Sequence, residues 1–181
     1  MNDLTLYLIS YICLLSLGFF ILRVLVPRDY LRYGRLSPRV TLLQALLFFA
    51  YGGFPYVYLN RDWPKVYVPV FIHLVGFALI IIGLGFLLYK IIKLGLMRSF
   101  GRGESRLLTS GMYRFSRNPQ AIACGIYVLG FLTLWPSWYA AGWSALYFIL
   151  IHQMILSEED HLGRLYGQEY VNYCKSTPRY F

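Results

Sequence analysis

Five long blocks of apolar residues follow one another along the chain, and short polar stretches separate them. The blocks cover residues 4–26, 40–59, 67–89, 120–134 and 139–156. Their lengths approach or exceed what a helix needs to cross a hydrocarbon core about 30 Å thick. The pattern predicts an all-α protein with five transmembrane helices, of which the last two form a hairpin. Small residues in the third block predict close contact with another helix, at Gly76, Gly83 and Gly85.

The composition places this pattern in a membrane. Hydrophobic residues make up 58% of the 181 positions and charged residues 14%, whereas soluble domains average about 45–50% apolar and 25% charged residues. We therefore expect a polytopic membrane helix bundle with short additional helices on the cytoplasmic side. Residues 1–97 are predicted to form a membrane scaffold with the first three spans. Residues 98–181 are predicted to form the functional half, with a loop, the helical hairpin and a cytoplasmic tail.

The basic residues indicate membrane topology rather than nucleic-acid binding. The net charge is +9, but the 17 lysines and arginines lie between the apolar blocks instead of along one polar face. All of them except Arg61 and Lys65 fall on one side of the predicted membrane. By the positive-inside rule, we expect a multi-pass cell-membrane protein with its amino terminus outside and its carboxyl terminus in the cytoplasm. The pattern favours no particular oligomeric state.

Two polar clusters flank the predicted hairpin. The first consists of residues 109–111 and 118–119, and the second is Glu158 with Glu159. Because a hairpin returns the chain to the face that it left, both clusters are expected together at the cytoplasmic face. The first cluster predicts a loop and a helix start, where unpaired backbone amides can bind an anionic ligand. An ordinary loop with a helix cap has the same residues, so both interpretations stay open.

The acidic pair borders an apolar span, where ionisable side chains are costly and often functional. Glu158 and Glu159 take part in the chemistry of a site, or they mark the interface and form salt bridges to Arg114 or Arg117. The sequence favours neither interpretation.

The histidines and cysteines show no metal-binding pattern. His73 and His152 lie in apolar blocks and are expected to pack there with a hydrogen bond to a neighbouring helix. No paired spacing is found among Cys13, Cys124 and Cys174. We predict neither a metal site nor a disulfide.

The order of these features resembles a known family. The chain carries, in sequence, LLTSGMY at residues 107–113, RNP at 117–119, the hairpin, EE at 158–159, LYGQEYVNY at 165–173 and TPR at 177–179. This arrangement resembles the catalytic half of the isoprenylcysteine carboxyl methyltransferases and of the related phospholipid methyltransferases. The resemblance implies an integral membrane enzyme that binds S-adenosylmethionine on the cytoplasmic side and takes a lipophilic acceptor from the bilayer.

The resemblance also assigns residues, position by position. It implies cofactor contacts at Ser105, Arg106, Leu107, Leu108, Tyr113 and Asn118, and catalytic carboxylates at Glu158 and Glu159. The isoprenylcysteine enzymes usually have His where this chain has Asn118, and in this respect the chain is more similar to the phospholipid methyltransferases.

The expected function is therefore transfer of the methyl group of S-adenosylmethionine to a lipophilic acceptor, either an isoprenylcysteine-type carboxylate or a related lipid. The expected partners are the bilayer and this lipid substrate, with no nucleic acid. Two alternatives remain. One is a membrane sterol or enone reductase that uses NADPH, because such enzymes have a similar terminal pattern. The other is a non-enzymatic membrane scaffold whose basic loops bind anionic lipid headgroups.

Overall fold

The structure is a computed structural model that describes residues 3–55, 67–94 and 107–181. All regular elements in these ranges are helical, which confirms the predicted all-α class. Seven α-helices, a π turn and a 3₁₀ turn follow one another as α1 Asp3–Phe20, the π turn Ile21–Leu25, α2 Val26–Tyr33, α3 Pro38–Gly53, α4 Val70–Leu94, the 3₁₀ turn Gly111–Arg114, α5 Pro119–Leu134, α6 Trp138–Tyr166 and α7 Gln168–Ser176.

The described residues contain three helical stretches that are long and apolar enough to cross a membrane. They are Asp3–Tyr33, Val70–Tyr89 and Trp138–Tyr166. Helices α3 and α5 have 16 residues each, which at about 1.5 Å per residue is shorter than a hydrocarbon core of about 30 Å. A helical membrane bundle is therefore confirmed, whereas the count of five spans stays a prediction. Residues 56–59 of the predicted second span lie outside the described ranges.

The first helical stretch does not end near residue 26, as the hydropathy pattern predicts, but continues through the π turn and α2 to Tyr33. The carbonyl of Leu22, within the π turn, accepts a hydrogen bond of 2.6 Å from the Ser157 hydroxyl. A bulged turn leaves a carbonyl without its usual helical partner, and a serine from α6 supplies the donor. Residues 27–33, which follow the first apolar block in the sequence, are thus helical.

Helix α6 forms the centre of the bundle. Its fully buried residues Leu146, Leu150 and Ile155 belong to the main hydrophobic cluster, together with residues from α1, α3 and α5. Tyr7 on α1 donates a hydrogen bond of 2.9 Å to the Tyr139 carbonyl at the start of α6. These contacts tie the amino-terminal helices to the hairpin.

Helices α4 and α5 pack closely through glycines. A Cβ at Gly83 would lie 2.7 Å from the Ala123 carbonyl oxygen, and one at Gly130 would lie 2.8 Å from the Gly76 oxygen. The missing side chains therefore let the two backbones approach each other. The prediction of close contact is confirmed for Gly76 and Gly83, but it is wrong for Gly85, which has open space beside it.

The predicted hairpin is present, and its second arm is longer than the apolar block. Helix α5 ends at Leu134, and α6 begins at Trp138, where the Ser137 hydroxyl caps it by accepting a hydrogen bond of 3.0 Å from the Ala140 amide. Helix α6 then continues ten residues past the predicted end at residue 156. Glu158 and Glu159 consequently stand on a helix.

Neither histidine bonds a neighbouring helix, so that prediction is wrong. His73 Nδ1 lies 3.3 Å from the Pro69 carbonyl oxygen, just before its own helix. His152 Nδ1 lies 2.7 Å from the Tyr180 hydroxyl, which belongs to the carboxyl-terminal tail. The tail therefore runs back along α6 after α7 ends.

Candidate active site

The loop before α5 is shaped by a glycine and an asparagine. Gly111 has a φ of 66°, a left-handed conformation that favours glycine, and it begins the 3₁₀ turn. Asn118 stands at the N-cap of α5 and Pro119 takes the first helical position. The Asn118 side chain does not cap this helix; its Nδ2 instead donates a hydrogen bond of 3.2 Å to the Arg179 carbonyl. The predicted helix start is present, with its asparagine bound to the tail.

The tail is bound to this loop by three hydrogen bonds in all. Besides the bond from Asn118, the Arg117 amide donates to the Pro178 carbonyl at 3.0 Å, and the Ser116 hydroxyl donates to the Arg179 carbonyl at 3.2 Å. Ser116 is buried, as is Thr177 at the start of the tail. The last residues of the chain thus form one wall of the region where the loop meets α6.

Glu159 joins three segments through two arginines. Arg179 donates from Nε at 2.9 Å and from Nη2 at 2.7 Å to Glu159 Oε2. Arg117 Nη2 lies 3.4 Å from Glu159 Oε1. The Glu159 and Arg117 side chains are 11% and 13% exposed, so this ion pair is largely shielded from water. The hydrogen bond with Glu159 raises the pKa of Arg179. The ion pair with Arg117 agrees with the interpretation in which the acidic pair marks the interface and forms salt bridges.

Helix α7 contributes two tyrosines on one face. The Tyr173 hydroxyl donates a hydrogen bond of 2.6 Å to the Tyr113 carbonyl. Burial raises the pKa of Tyr173 to about 12. Burial, and then the nearby Glu159 carboxylate, also raise the pKa of Tyr170. Both phenols therefore stay neutral near neutral pH, and the Tyr173 hydroxyl attaches α7 to the loop.

A cavity lies where the loop, α5, α6 and α7 meet. The space free of atoms measures about 480 Å³, including its open mouth, and it is lined by Leu107, Leu108, Tyr113, Arg117, Asn118, Gln120, Glu158, Glu159, Leu162, Tyr170 and Tyr173. The hairpin thus brings Asn118 of the first predicted polar cluster and both glutamates of the second to one cavity.

The structure brings most of the predicted site residues together. The predicted residues Leu107, Leu108, Tyr113, Asn118, Glu158 and Glu159 all line the cavity. The remaining two, Ser105 and Arg106, lie outside the described residues. Sequence reasoning assigned no site role to the lining residues Arg117, Gln120, Leu162, Tyr170 and Tyr173. The three-residue spacing of Tyr170 and Tyr173, which places both on one helical face, was a usable signal.

Polar atoms of four cavity-lining residues are buried without a hydrogen bond to any described part of the chain. They are Arg117 Nε, Gln120 Oε1, Glu159 Oε1 and the Tyr170 hydroxyl oxygen. Glu159 Oε1 has an ion pair to Arg117, and Arg117 Nη1 donates to Cys174 Sγ. Buried polar groups in folded proteins are nearly always paired. Four such atoms around one cavity are therefore the pattern expected of a site that a ligand completes.

The cavity shows no sign of a metal centre. Among residues 3–55, 67–94 and 107–181, no cluster of His, Cys, Asp and Glu side chains could hold a metal ion, and Cys13, Cys124 and Cys174 form no disulfide with one another. The carboxylates and amides at the cavity are instead suited to hydrogen bonds and to binding organic cations.

Comparison with known proteins gives a family. The family model described as phospholipid methyltransferase matches residues 71–169, more than half of the chain. The matched segment contains α4, the 3₁₀ turn, both arms of the hairpin and the first residues of α7. It therefore includes the cavity-lining residues from Leu107 to Leu162. No curated protein and no solved structure matches the chain.

Proposed function

Because the chain belongs to the phospholipid methyltransferase family, a family of membrane methyltransferases, we propose that it transfers the methyl group of S-adenosylmethionine to a lipid acceptor at the cytoplasmic membrane face. The observation that carries this proposal is the cavity at the open end of the hairpin, which Asn118, Glu158 and Glu159 line together. The family match also favours the methyltransferase over the reductase and scaffold alternatives.

The residues at the cavity fit S-adenosylmethionine. This cofactor carries a sulfonium cation, an amino-acid end and an adenosine, and when bound it supplies an electrophilic methyl group. Glu158 provides negative charge that matches the cation, whereas Leu107, Leu108 and Tyr113 provide an apolar and aromatic wall suited to the adenosine. Asn118 adds an amide for hydrogen bonds. The predicted cofactor contacts at Ser105 and Arg106 directly precede this wall in the sequence.

We assign different roles to the two carboxylates. Both Glu159 oxygens face guanidinium groups, and these contacts hold the loop, α6 and the tail together. Glu159 is therefore a positioning residue. Glu158, which lines the same cavity, is the catalytic carboxylate: it accepts the proton that an amine acceptor releases, or it orients an acceptor that is already ionised.

The chain contributes mainly position and shielding to the reaction. The acceptor heteroatom bonds to the methyl carbon as the carbon–sulfur bond breaks, and the electron pair of that bond remains on sulfur. Such an in-line displacement is accelerated by holding nucleophile and methyl group aligned and by excluding water. The leucines, the tyrosines of α7 and the tail that lies against the loop supply these walls.

The proposal is tested by calorimetric binding of S-adenosylmethionine, S-adenosylhomocysteine and NADPH to the detergent-purified protein. We expect micromolar binding of both adenosyl ligands and none of NADPH. Asn118→Ala is expected to weaken adenosyl binding about tenfold, the effect of losing roughly one hydrogen bond. Asn172→Ala, on an exposed residue of α7, is the matched control. Folded protein that binds neither adenosyl ligand would overturn the proposal, and binding of NADPH alone would establish a reductase.

The acceptor is identified with methyl-labelled cofactor. Vesicles that contain phosphatidylethanolamine and micelles of a farnesylated cysteine present an amine and a carboxylate, respectively. Mild base hydrolyses a methyl ester and releases its labelled methyl group as methanol, whereas a labelled N-methyl group stays on the lipid. The chemical stability of the label therefore separates the isoprenylcysteine-type reaction from the amine-lipid reaction.

A further inference from the structure

One unpaired polar atom of the cavity stands apart from the others by its position. Gln120 is the second residue of α5, directly after Pro119, and the helix then runs through predominantly apolar residues to Leu134. Arg117, by contrast, lies in the loop before the helix, Tyr170 lies on α7, and Glu159 is bound to that loop and to the tail. Gln120 therefore lies at the edge of the cavity where polar chain gives way to membrane helix.

The chemistry of this side chain at that edge is specific. Gln120 Oε1 is buried and accepts no hydrogen bond from the described residues. A carbonyl oxygen can only accept hydrogen bonds, so an N–H or O–H group is what it lacks. For a substrate that enters from the bilayer, this edge is where the cavity adjoins the apolar helix α5. The substrate's headgroup is then the first ligand group that can supply the missing donor.

We propose that Gln120 is a specificity-determining residue of the acceptor site, where its Oε1 accepts a hydrogen bond from an N–H or O–H donor of the acceptor headgroup. This inference rests on the proposed methyltransferase function. It separates the cavity into two parts. Residues of the loop and Asn118 bind the cofactor, and Gln120 binds the acceptor on the membrane side.

The proposal predicts that changes at Gln120 act on the acceptor and leave the cofactor unaffected. Gln120→Met keeps the length of the side chain and removes the hydrogen-bond acceptor. Gln120→Glu replaces the amide with a carboxylate, whose oxygens still accept hydrogen bonds. Gln168→Met is the matched control, because Gln168 is exposed and its amide bonds Asn172 within α7. All variants comprise residues 1–181 and are assayed with the same vesicle and micelle probes.

The measurements are the KM for each probe acceptor, the calorimetric Kd for S-adenosylmethionine and the melting temperature. With Q120M we expect the KM for the methylated probe to rise about tenfold or more, as loss of a hydrogen bond to a substrate donor predicts. The cofactor Kd and the melting temperature should stay at their wild-type values. Q120E should recover most of the KM, and Q168M should match the wild type.

The outcomes are distinct from those that test the proposed function. A Q120M protein with the wild-type acceptor KM would overturn the inference while methylation itself stands, and so would an equal loss of cofactor affinity. If Q120M fails to fold, Gln120→Asn, which shortens the reach of the same amide, must still raise the acceptor KM. Failure of the wild type to label either probe would overturn the proposed function, and this inference with it.

Discussion

Helix α5 is held in two different ways along its length. Its apolar part packs against α4, where glycines let the two backbones approach each other closely. This contact depends on the complementary shapes of the two helix surfaces. At its amino end, Arg117 and Asn118 are held by hydrogen bonds and ion pairs to the tail and to Glu159. The apolar contact depends on fit alone, whereas the polar junction depends on charge and directed bonds.

The difference indicates where a ligand acts. Between α4 and α5, the close approach leaves no room for another molecule. At the polar junction, Gln120 Oε1 and Arg117 Nε are buried beside a cavity without hydrogen-bond partners in the described part of the chain. A contact without unpaired polar groups stabilises the fold, whereas buried polar groups that lack hydrogen-bond partners can bind a ligand. Mutations at the two places should therefore have different readouts.

The largest effect is expected at the centre of the polar junction. Glu159→Gln removes the charge between Arg117 and Arg179 and leaves two guanidinium groups without a counter-charge. Breaking such a pair should lower the free energy of unfolding by about 2–3 kcal/mol, less than for a fully buried pair because Arg179 is partly exposed. Thermal melting in detergent measures this, and adenosyl-ligand binding should be lost as well.

Two further substitutions sharpen that result. Glu169→Gln changes an exposed acid on α7 and should leave melting and binding unchanged. Glu158→Gln should keep the melting temperature but reduce turnover at least about 100-fold, the usual contribution of a positioned acid–base group. Wild-type turnover in the Glu158 variant would remove its catalytic role. Equal destabilisation by the Glu158 and Glu159 variants would contradict their different assignments.

The apolar contact is broken by adding a single methyl group. Gly83→Ala would place a Cβ within 2.7 Å of the Ala123 carbonyl, and backbone cannot move aside as a flexible side chain can. We expect a loss of stability of about 1–3 kcal/mol, measured by thermal melting, with cofactor affinity per folded molecule unchanged.

Gly85 offers a control on the same helix. A Cβ there has no neighbour within 4 Å, so Gly85→Ala should melt at the wild-type temperature. Equal destabilisation at both positions would show that helix-wide effects, rather than the contact with α5, determine stability.

The sequence predicts the apolar contact better than the polar junction, for physical reasons. Hydropathy locates the apolar helices and the hairpin because the hydrophobicity of each segment follows directly from its residues. It does not detect where a helix ends once the residues become polar. Helix α6 continues to Tyr166 because Glu, Leu and Arg are good helix formers, and hydropathy is blind to that preference.

The partners of polar residues depend on contacts far apart in the chain. The Arg179–Glu159 ion pair spans 20 residues, and the Asn118–Arg179 bond spans 61. No periodicity in the sequence encodes such pairs. The family resemblance indicated six of the cavity-lining positions, Leu107, Leu108, Tyr113, Asn118, Glu158 and Glu159. Gln120 becomes visible only when its unpaired oxygen is seen beside the cavity.

The smallest effect is expected in alkaline solution. An unfolded tyrosine loses its proton near pH 10, whereas burial raises the pKa of Tyr173 to about 12. Between these values the folded protein binds more protons than the unfolded one, so the stability contributed by neutral Tyr173 falls as the pH rises. Melting temperatures measured from pH 8 to pH 11 should decrease, and Tyr173→Phe should decrease less steeply.

This pH dependence belongs to the polar junction and provides a final separation of the two contacts. Tyr33→Phe, at an exposed tyrosine of α2, should reproduce the wild-type slope. The difference between Gly83→Ala and wild type should be the same at pH 8 and pH 11, because the atoms that the added Cβ would meet, the Ala123 oxygen and the Tyr127 amide nitrogen and Cβ, do not titrate. Suppose that the melting-temperature difference for Gly83→Ala changed with pH while Tyr173→Phe kept the wild-type slope. The pH dependence would then belong to the contact between α4 and α5 and not to the polar junction, which would contradict the prediction.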